Sequence, residues 1–436
     1  MIGKKKNVFI IGLDEFNLDK LNRLPEAPGC NFLPALEFSE IRGIDKISIP
    51  EMIQRIDARV AQAGSIDAVA SYYDFPGSVL VPIIAEKYDL PGPSLESILK
   101  CENKYWSRLE QQKVIPEHIP QFLAFDPFDE QAYDKIGFVA PFWIKPIKSF
   151  HSYLAFRIND ETQFKEHLEE IRREINFMSD PFSHIMSNYG LPQEFGSMQE
   201  SMIAETTISG HQCTLEGYAL ENEVTALGIV DSIREADRSS FIRYEYPSSL
   251  PQEIQFRMVD IARRVISQIG LSNGAFNIEF FYNETADQVY LLEINPRISQ
   301  AHTDIFEKVH GISHHYVMLN LALNRKPKPL TYNGDFRVAA HFMLRSYEPG
   351  IVTKVPSEAE IRRMKEKYPD LSIKINVEEG TDLETIDMHH VDSYSFILAN
   401  LHIGAKNRGQ LLEKYQDVID NLPFTIENTI PGVFTR

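Results

Sequence analysis

Two neighbouring strand-like runs in the sequence each carry one glutamate among apolar residues. The runs are FNIEFFYN and QVYLLEIN, joined by ETAD, and they contain Glu279 and Glu293. Aromatic and β-branched residues on both sides of a short polar connection predict a β-hairpin. Because burying a carboxylate without a partner is costly, acids at these two positions need an explanation.

Strand geometry places the acids on one face of the predicted hairpin. Side chains alternate along a strand, so Glu293 and Asn295 share a face, and a hairpin centred on Ala286 puts Glu279 opposite Glu293. Two like charges in this arrangement repel each other, whereas a bound cation would make it favourable. Two carboxylates and an amide oxygen suit Mg²⁺ or Mn²⁺ that is held partly by substrate phosphates. The alternative is a solvated strand face with scattered acids.

Basic residues occur where they could neutralise phosphate groups. Lys145 ends the apolar run FWIK, and the loop after it contains Lys148, Ser149 and Ser152. A lysine at a strand end is a point charge with rotatable donors, and serine hydroxyl groups add further contacts. Lys104 lies on a predicted helix, where a solvent-facing lysine is the alternative. For the serines, the alternative is a solvated turn.

An arginine follows the acidic cluster. Arg297 comes two residues after Asn295 and shares its face if the strand continues past Pro296. Such an arginine can hold a carboxylate or stabilise the charge that develops during phosphoryl transfer. The alternative is a simple ion pair with Glu293.

Composition limits the class of protein. The chain has 436 residues and a formal net charge of -18, which argues against a general nucleic-acid-binding protein. It contains no apolar run of about 18 residues, so we expect no membrane span. The start, MIGKKKNVFIIGLDEF, predicts a first β-strand and no signal peptide. Three widely spaced cysteines without zinc spacing fit a reducing compartment, and we expect a cytoplasmic location.

The order of elements predicts three domains. Alternating βα units near the N-terminus, including a strand at Ala68–Tyr72 and a helix at Val79–Tyr88, predict a parallel sheet. The run from Ser201 to Ile233 predicts three strands, with turns at Gly210 and at Glu221–Glu223. One helix is expected to end near Val114, and the run from Asp180 to Met198 is interpreted as a flexible insertion. Further helices are predicted at Gln252–Ile269, Thr303–Leu323, Glu358–Lys367 and Arg408–Asp420. The predicted bounds are 1–100 for a Rossmann-like domain, 101–335 for a central domain of two subdomains, and 336–436 for an α+β domain.

Several motifs in fixed order resemble the ATP-grasp superfamily. They are KYWSR, IKP with a serine-bearing loop, AETTISG, and IEF followed by LLEINPRIS, and they extend over roughly Ser94 to Pro329. The resemblance is to the carboxylate–amine ligase and biotin carboxylase-like branch. It implies a fold of class α/β and α+β: an ATP-grasp fold, with a Rossmann-like (pre-ATP-grasp) domain before it and a small mixed domain after it.

The resemblance also implies a metal and nucleotide site. Glu279, Glu293 and Asn295 would hold Mg²⁺ (or Mn²⁺) that bridges the ATP phosphates. Lys104 and Lys145 would contact the α- and β-phosphates.

Further site residues follow from the same resemblance. The AETT segment would read adenine, with Glu205 at its head and Thr206 and Thr207 after it. His211 falls where some members contact the nucleotide, and a surface histidine is the alternative. Arg297 would face the acyl-phosphate or the substrate carboxylate, and Arg345 is similar to a second substrate arginine.

Two departures from the family pattern affect the expected chemistry. The phosphate-covering loop, KPIKSFHSYLAF, contains no glycine, so Lys148 or His151 would replace backbone donors or nucleotide binding would be weakened. Biotin carboxylases carry a glutamate base four residues after the arginine, where this chain has Ala301.

The expected activity is an ATP- and Mg²⁺-dependent ligation of a carboxylate to an amine through an acyl-phosphate. Its partners would be small-molecule carboxylate and amine substrates, with no nucleic acid and no membrane, and a homodimer is one expected assembly. The alternatives are a bicarbonate-using carboxylase or carbamoyl-phosphate-type enzyme, and a non-catalytic ATP-binding regulatory protein.

Overall fold

A computed structural model describes residues 4–42, 47–149, 153–189, 192, 201–221, 223–235, 240–385, 391–392 and 395–427. The chain divides into two compact units. The first consists of residues 1–229, 250–300 and 314–329, and the second of residues 230–249, 301–313 and 330–436. The division into domains at 1–100, 101–335 and 336–436 stays a prediction.

The described residues contain α-helices and β-strands in an irregular alternation. The helices are α1 (Glu15–Asn22), α2 (Ile49–Ala63), α3 (Gly77–Lys87), α4 (Leu95–Glu102), α5 (Lys104–Val114), α6 (Ala132–Ile136), α7 (Glu161–Glu174), α8 (Asn176–Asn188), α9 (Gln252–Ile269), α10 (Thr303–His310), α11 (His315–Ala322), α12 (Glu358–Lys367) and α13 (Arg408–Asp420). The strands are β1 (Lys6–Leu13), β2 (Cys30–Glu37), β3 (Ala68–Ser71), β4 (Phe122–Phe125), β5 (Phe142–Pro146), β6 (Phe156–Ile158), β7 (Met202–Thr206), β8 (His211–Leu220), β9 (Glu223–Arg234), β10 (Phe241–Tyr246), β11 (Gly274–Asn283), β12 (Gln288–Asn295), β13 (Val338–Ser346), β14 (Ile351–Lys354), β15 (Ser372–Ile375), β16 (Val391–Asp392), β17 (Ser395–Ala405) and β18 (Thr425–Glu427).

The first unit begins with the predicted parallel sheet. Its strand order is β2-β1-β3, and both pairings are parallel. The middle strand is buried from Asn7 to Gly12, which explains its continuous apolar run. Because the strands are parallel, the segments that follow β1 and β3 leave the sheet at the same edge. Tyr72 connects them, since its hydroxyl donates to the carbonyl oxygen of Gly12 at 2.8 Å.

Two antiparallel strand sets complete the first unit. One is a sheet of order β4-β7-β5-β6, which packs its apolar side chains with α7. The other has the order β12-β11-β8-β9 and packs against α9. The strands around the Gly210 turn and the hairpin of β11 and β12 match the sequence-based predictions.

Two helices that the sequence predicts as continuous are broken. The helix ending at Val114 is interrupted at Asn103, whose side chain accepts the N–H of Trp106 and starts α5. The predicted helix at Thr303–Leu323 ends early, because Gly311 adopts φ +77° and closes α10. A side-chain cap and a left-handed glycine are stronger local signals than continuous helix propensity.

The predicted flexible insertion is wrong for the part that the structure describes. Residues 176–188 form α8. Phe182, Ile185 and Met186 are buried in the core of the first unit, and the ring of Phe182 contacts that of Phe75 with centroids 6.2 Å apart. Tertiary packing therefore stabilises a helix around Pro181 that local sequence disfavours.

The second unit is the mixed α+β part of the chain. The last residues of β9 pair with β10, and the strand order continues through β13 and β17 to β15, with β16 beside β17. Strands β14 and β18 form a separate pair. Helices α12 and α13 have the predicted bounds, and α13 contributes Leu411 and Val418 to the core of this unit.

Two observations concern the cysteines and the lengths of the helices. Cys30, Cys101 and Cys213 are buried free thiols. Within the part of the chain that the structure describes, no helix is both long enough and apolar enough to cross a membrane.

Candidate active site

Polar side chains on β8, β11 and β12 line one side of these strands, which we call the polar face. The cross-strand register aligns Glu216, Asn277 and Asn295 in one row and Thr214, Glu279 and Glu293 in the next. The intervening residues Leu215, Ile278 and Ile294 are buried in the core. Alternation along each strand therefore separates a polar side from an apolar side.

Glu279 and Glu293 are cross-strand neighbours, as the hairpin predicted. A β-bulge lies next to this pair, after Glu279 on β11 and before Glu293 on β12: Phe280 pairs with Leu291, and Leu292 is the extra residue of β12. Gln212, on β8, donates from Nε2 to Oε2 of Glu279 at 3.1 Å. A bulge changes the direction of nearby side chains, so the position of Glu293 depends on how this bulge is held.

Asn277 fixes the amide group of Asn295. Asn295 donates from Nδ2 to Oδ1 of Asn277 at 3.0 Å, and the buried Asn277 donates from its own Nδ2 to the carbonyl oxygen of Arg297 at 3.0 Å. Since the nitrogen of the Asn295 amide is used, its oxygen is the atom available to a ligand.

The donor set of the polar face fits a hard cation that has further ligands from outside the protein. Among the described residues, no group of three or more His, Cys, Asp and Glu side chains is arranged to hold a metal ion. The hairpin of β11 and β12 instead offers the two carboxylates of Glu279 and Glu293 and the oriented amide oxygen of Asn295. Mg²⁺ is usually bound by one or two carboxylates and takes its remaining ligands from phosphates and water.

Lys104 contacts the polar face from the start of α5. Its ammonium group donates to the carbonyl oxygen of Ser149 at 2.6 Å and lies 3.1 Å from Oε1 of Glu293. Its backbone N–H donates to the carbonyl oxygen of Ile147 at 2.8 Å. Lys104 thus connects the loop after β5 to one of the two facing acids, and it is buried rather than directed to solvent.

Glu205, on β7, holds two cations. Nζ of Lys145 lies 2.7 Å from its Oε2, and Nε of Arg108 donates to its Oε1 at 2.6 Å. Burial opposes ionisation, but the charges of Arg108 and Lys145 outweigh it and lower the pKa of Glu205 to about 2. Glu205 therefore stays ionised at neutral pH and orients Lys145.

Glu293 is also ionised at neutral pH. Burial and the charge of Asp74 disfavour its charged form, yet the ammonium groups of Lys104 and Lys145 hold its pKa below the ordinary value. The positive charges of the two lysines therefore lie near enough to Glu293 to stabilise its ionised form.

Arg297 pairs with an acid in the segment that follows β3. Its Nη2 donates to Oδ2 of Asp74 at 3.0 Å, so Asp74 is the observed ion-pair partner instead of Glu293. Burial would raise the pKa of Asp74, but the charges of Arg297 and Lys148 hold it below its usual range. Asp74 follows β3, at the carboxyl end of a parallel strand, where ligands bind in open α/β sheets.

Glu216 is a fully buried acid on the polar face. The N–H of Ser299 donates to its Oε1 at 3.2 Å, and Nε2 of His314 lies 3.9 Å from its Oε2. Burial raises the pKa of Glu216 to about 7, against the opposing charges of His314 and Arg297. This carboxyl group therefore titrates close to neutral pH.

Lys148 points into the protein interior. Its side chain is buried, forms an ion pair with Glu102 and lies 4.8 Å from the ring centroid of Phe75. Ser149 is buried beside it, and Ser152 lies outside the described residues. Contacts of these three residues with phosphate stay predictions.

The predicted adenine segment lies at the end of β7. Oγ1 of Thr206 accepts the N–H of Gln121 at 3.1 Å, and Oγ1 of Thr207 donates to the carbonyl oxygen of Pro141 at 2.9 Å. His211 starts β8. The nucleotide roles of Thr206, Thr207 and His211 stay predictions, as does that of Glu205.

Arg345 belongs to the second unit. Its Nε donates to the carbonyl oxygen of Phe241 at 2.6 Å, and its Nη1 donates to Oγ of Ser395 at 2.7 Å. These contacts connect β13 to β10 and β17. Its role toward a substrate stays a prediction.

Several residues of this region were missed by the sequence analysis. Asn277 could have been found by alternation, since it precedes Glu279 by two residues on the same strand face. Arg108 follows Lys104 by four residues on one helix and therefore shares its side. Asp74 and Glu216 carry no such local signal, because the chain brings them to Arg297 and Ser299 only through long-range contacts.

Comparison with known proteins identifies a matching domain family and similar folds. Residues 138–304 match a family model described as an ATP-grasp domain. The fold is similar to that of an L-amino acid ligase from Bacillus licheniformis, with a TM-score of 0.71 and 16% identity over 98% of this chain and 100% of that chain. It is also similar to a biotin carboxylase–β,γ-ATP complex from Campylobacter jejuni, with a TM-score of 0.64 and 17% identity over 97% of this chain and 92% of that chain.

Curated sequences give a weaker similarity over part of the chain. The large chain of carbamoyl phosphate synthase from Rubrobacter xylanophilus is 24% identical over 306 residues, which are 67% of this chain and 25% of the relative. The chain spans half or less of the length of the curated relatives that it matches. The family match and the shared fold agree with the motifs found in the sequence. The chain therefore has the ATP-grasp fold, and its residues 138–304 match the model of an ATP-grasp domain.

Proposed function

We propose that this chain is an ATP- and Mg²⁺-dependent ligase that activates a carboxylate as an acyl-phosphate and joins it to an amine, releasing ADP and phosphate. The main supporting observation is the facing pair of Glu279 and Glu293 beside the oriented amide of Asn295. Lys104 and Lys145 supply positive charge at the same place, through their contacts with Glu293 and Glu205. Acids that can bind the metal ion, beside fixed cations that can contact phosphates, are what a bound metal–triphosphate requires.

Each group of residues has a distinct part in the proposed reaction. Glu279, Glu293 and Asn295 would hold the metal ion, which neutralises and orients the phosphates when it is bound. Lys104 uses two of its three N–H bonds on Ser149 and Glu293, which leaves a donor for a phosphate oxygen. Lys145 is oriented by Glu205 and would contact the phosphates as a point charge.

The pair of Arg297 and Asp74 suggests the class of substrate. It presents one guanidinium and one carboxylate at a separation of 3.0 Å. An α-amino acid carries an ammonium and a carboxylate group that are complementary to this pair. We therefore propose that at least one of the two substrates is an amino acid, which is consistent with the similarity of the fold to an L-amino acid ligase.

A bicarbonate-dependent reaction is the second candidate. The fold is similar to that of a biotin carboxylase, and the sequence is similar to part of a carbamoyl phosphate synthase. The position of the biotin carboxylase glutamate is Ala301 here, which favours the amine-dependent reaction.

A phosphate-release screen tests the proposal. The full chain is incubated with ATP and Mg²⁺ and with pairs of amino acids, and a parallel series replaces the amine by bicarbonate. We expect phosphate and ADP to form only when both an acid and an amine are present. We expect Glu293→Ala to abolish this activity, whereas Glu223→Ala, which removes an exposed strand glutamate paired with Lys326, leaves it unchanged. Bicarbonate-dependent release without an amine, or nucleotide binding without any turnover, would contradict the proposal.

A further inference from the structure

Arg108 braces the bulge that precedes Glu293. Its buried guanidinium donates from Nη1 to the carbonyl oxygen of Leu291 at 3.2 Å and from Nη2 to that of Leu292 at 2.7 Å. Leu292 is the extra residue of the bulge in β12, and Glu293 follows it directly. A bulge interrupts the ladder of backbone hydrogen bonds, so its carbonyl groups need donors from elsewhere.

The same guanidinium reaches the acid that orients Lys145. Nε of Arg108 donates to Oε1 of Glu205 at 2.6 Å, while the other carboxylate oxygen of Glu205 lies 2.7 Å from Nζ of Lys145. Arg108 and Glu205 are almost completely enclosed, with side chains 3% and 5% exposed. One planar cation thus spans from the strand that carries Glu293 to the strand that carries Glu205.

A guanidinium is suited to this arrangement and an ammonium group is not. Its N–H bonds lie in one plane with fixed directions, so it can donate to a carboxylate on one side and to two carbonyl oxygens on the other. A lysine at this position would keep the charge beside Glu205 but could not reach both carbonyl groups of the bulge.

We infer that Arg108 and Glu205 form a positioning unit, in which Arg108 sets the direction of Glu293 by bracing the bulge and Glu205 holds Lys145 at a fixed distance from it. This inference rests on the proposed function, because it concerns the acid proposed to hold the metal ion and the lysine proposed to contact the phosphates. Neither Arg108 nor Glu205 needs to touch the substrate in this role.

Calorimetric titration of ATP into the full chain, with Mg²⁺ and separately with EDTA, tests the inference. In Arg108→Lys we expect the affinity for MgATP to fall by about 10-fold or more, as for a lost supporting contact of a metal ligand. The affinity for metal-free ATP should change by less than about 3-fold, because the lysines remain. The matched control is Arg172→Lys, which alters an arginine that also donates to a carbonyl oxygen and a carboxylate, those of Pro127 and Glu130.

Equal losses of both affinities, or no loss of either, would overturn the bracing role of Arg108. If Arg108→Lys does not fold, the same titrations are made with Glu205→Gln. That change keeps an oxygen for Arg108 and removes the charge that holds Lys145, so both affinities should fall about 10-fold, and unchanged affinities would refute the unit. Failure of the wild-type chain to bind ATP would instead contradict the proposed function itself, and the inference with it.

Discussion

At the scale of single residues, hydrogen bonds determine which atoms of the polar face are available to a ligand. Asn277 is the clearest case, since both ends of its amide are used, one by Asn295 and one by the carbonyl oxygen of Arg297. In Asn277→Ala, the amide of Asn295 loses this restraint and can rotate. The position of a proposed metal ligand thus depends on a residue that is not itself a proposed ligand.

We predict that Asn277→Ala weakens MgATP binding by about 10-fold, because a supporting contact of a proposed ligand is lost. The free energy of unfolding should fall by about 1 to 2 kcal/mol from the lost buried hydrogen bonds. Calorimetric titration and urea unfolding measure the two effects. Asn31→Ala is the control, since it removes another asparagine pair, with Asn7, in the parallel sheet. Wild-type affinity in Asn277→Ala would exclude the orienting role.

The raised pKa of Glu216 predicts that the stability of the fold depends on pH. Burial raises its pKa from an ordinary value of 4.5 to about 7, so the folded state binds the proton more tightly than the unfolded state does. The contribution of Glu216 to the free energy of unfolding is therefore fully present below pH 4.5, and it is lost as the pH rises through 7. The loss amounts to about 3 kcal/mol, from 1.36 kcal/mol per pKa unit.

Comparison with Glu216→Gln isolates this effect, because the amide does not titrate. We expect the unfolding free energy of the wild type, measured relative to that of Glu216→Gln in urea, to decrease by about 2 to 3 kcal/mol between pH 5 and pH 8. A difference that stays constant over this range would show that Glu216 is not buried as an acid with a raised pKa.

At the scale of elements, a buried ion pair anchors the glycine-free loop after β5. Lys148 and Glu102 are 2% and 3% exposed and connect this loop to the end of α4. The loop base is further tied to α5 by the two contacts of Lys104 with Ile147 and Ser149. These contacts hold the described start of the loop against α4 and α5.

We predict that Lys148→Met lowers the free energy of unfolding by about 3 kcal/mol, because it leaves Glu102 buried without its cation. The double variant Lys148→Met/Glu102→Met should recover most of this loss, since both charges are then gone. Urea unfolding of the two variants checks the prediction. A double variant that is no more stable than the single one would mean that the pair is not the main source of the loss.

Alternation, turn residues and helical periodicity correctly predicted those helices and strands whose sequences carry such local signals. The hairpin of β11 and β12, the bounds of α9, α12 and α13, and the pairing of Glu279 with Glu293 all follow from alternation, turns and periodicity. The helix breaks at Asn103 and Gly311 were missed because apolar periodicity continues across both. Helix α8 was missed because its stability comes from packing in the core, which no local pattern records.

In the candidate site, likewise, only residues that lie close together in the sequence could be predicted to share a surface. Glu279, Glu293 and Asn295 lie within one hairpin, so their common face could be inferred from strand geometry. Asp74 and Arg297 are 223 positions apart in the sequence, and Arg108 and Leu292 are 184 apart. Contacts over such separations depend on the tertiary fold and leave no periodic signal in the chain.

At the scale of the whole molecule, the first unit contains nearly all the residues on which the proposal depends. Its residues 138–229 and 250–300 fall within the segment that matches the ATP-grasp domain. Its cations and acids are arranged in alternating contacts, from Arg108 through Glu205 to Lys145 and from Lys104 to Glu293. This arrangement places three cations beside the proposed phosphate site in a chain of net charge -18.

The central claim is that the facing acids of the hairpin hold a metal ion that binds a triphosphate. Calorimetric titration of MgATP into the full chain and into Glu279→Gln/Glu293→Gln tests it most directly. The account predicts one nucleotide bound per wild-type chain, a requirement for Mg²⁺, and affinity weakened on the order of 100-fold in the double variant. Equal affinity of the two proteins for MgATP, or binding that is indifferent to Mg²⁺, would contradict it.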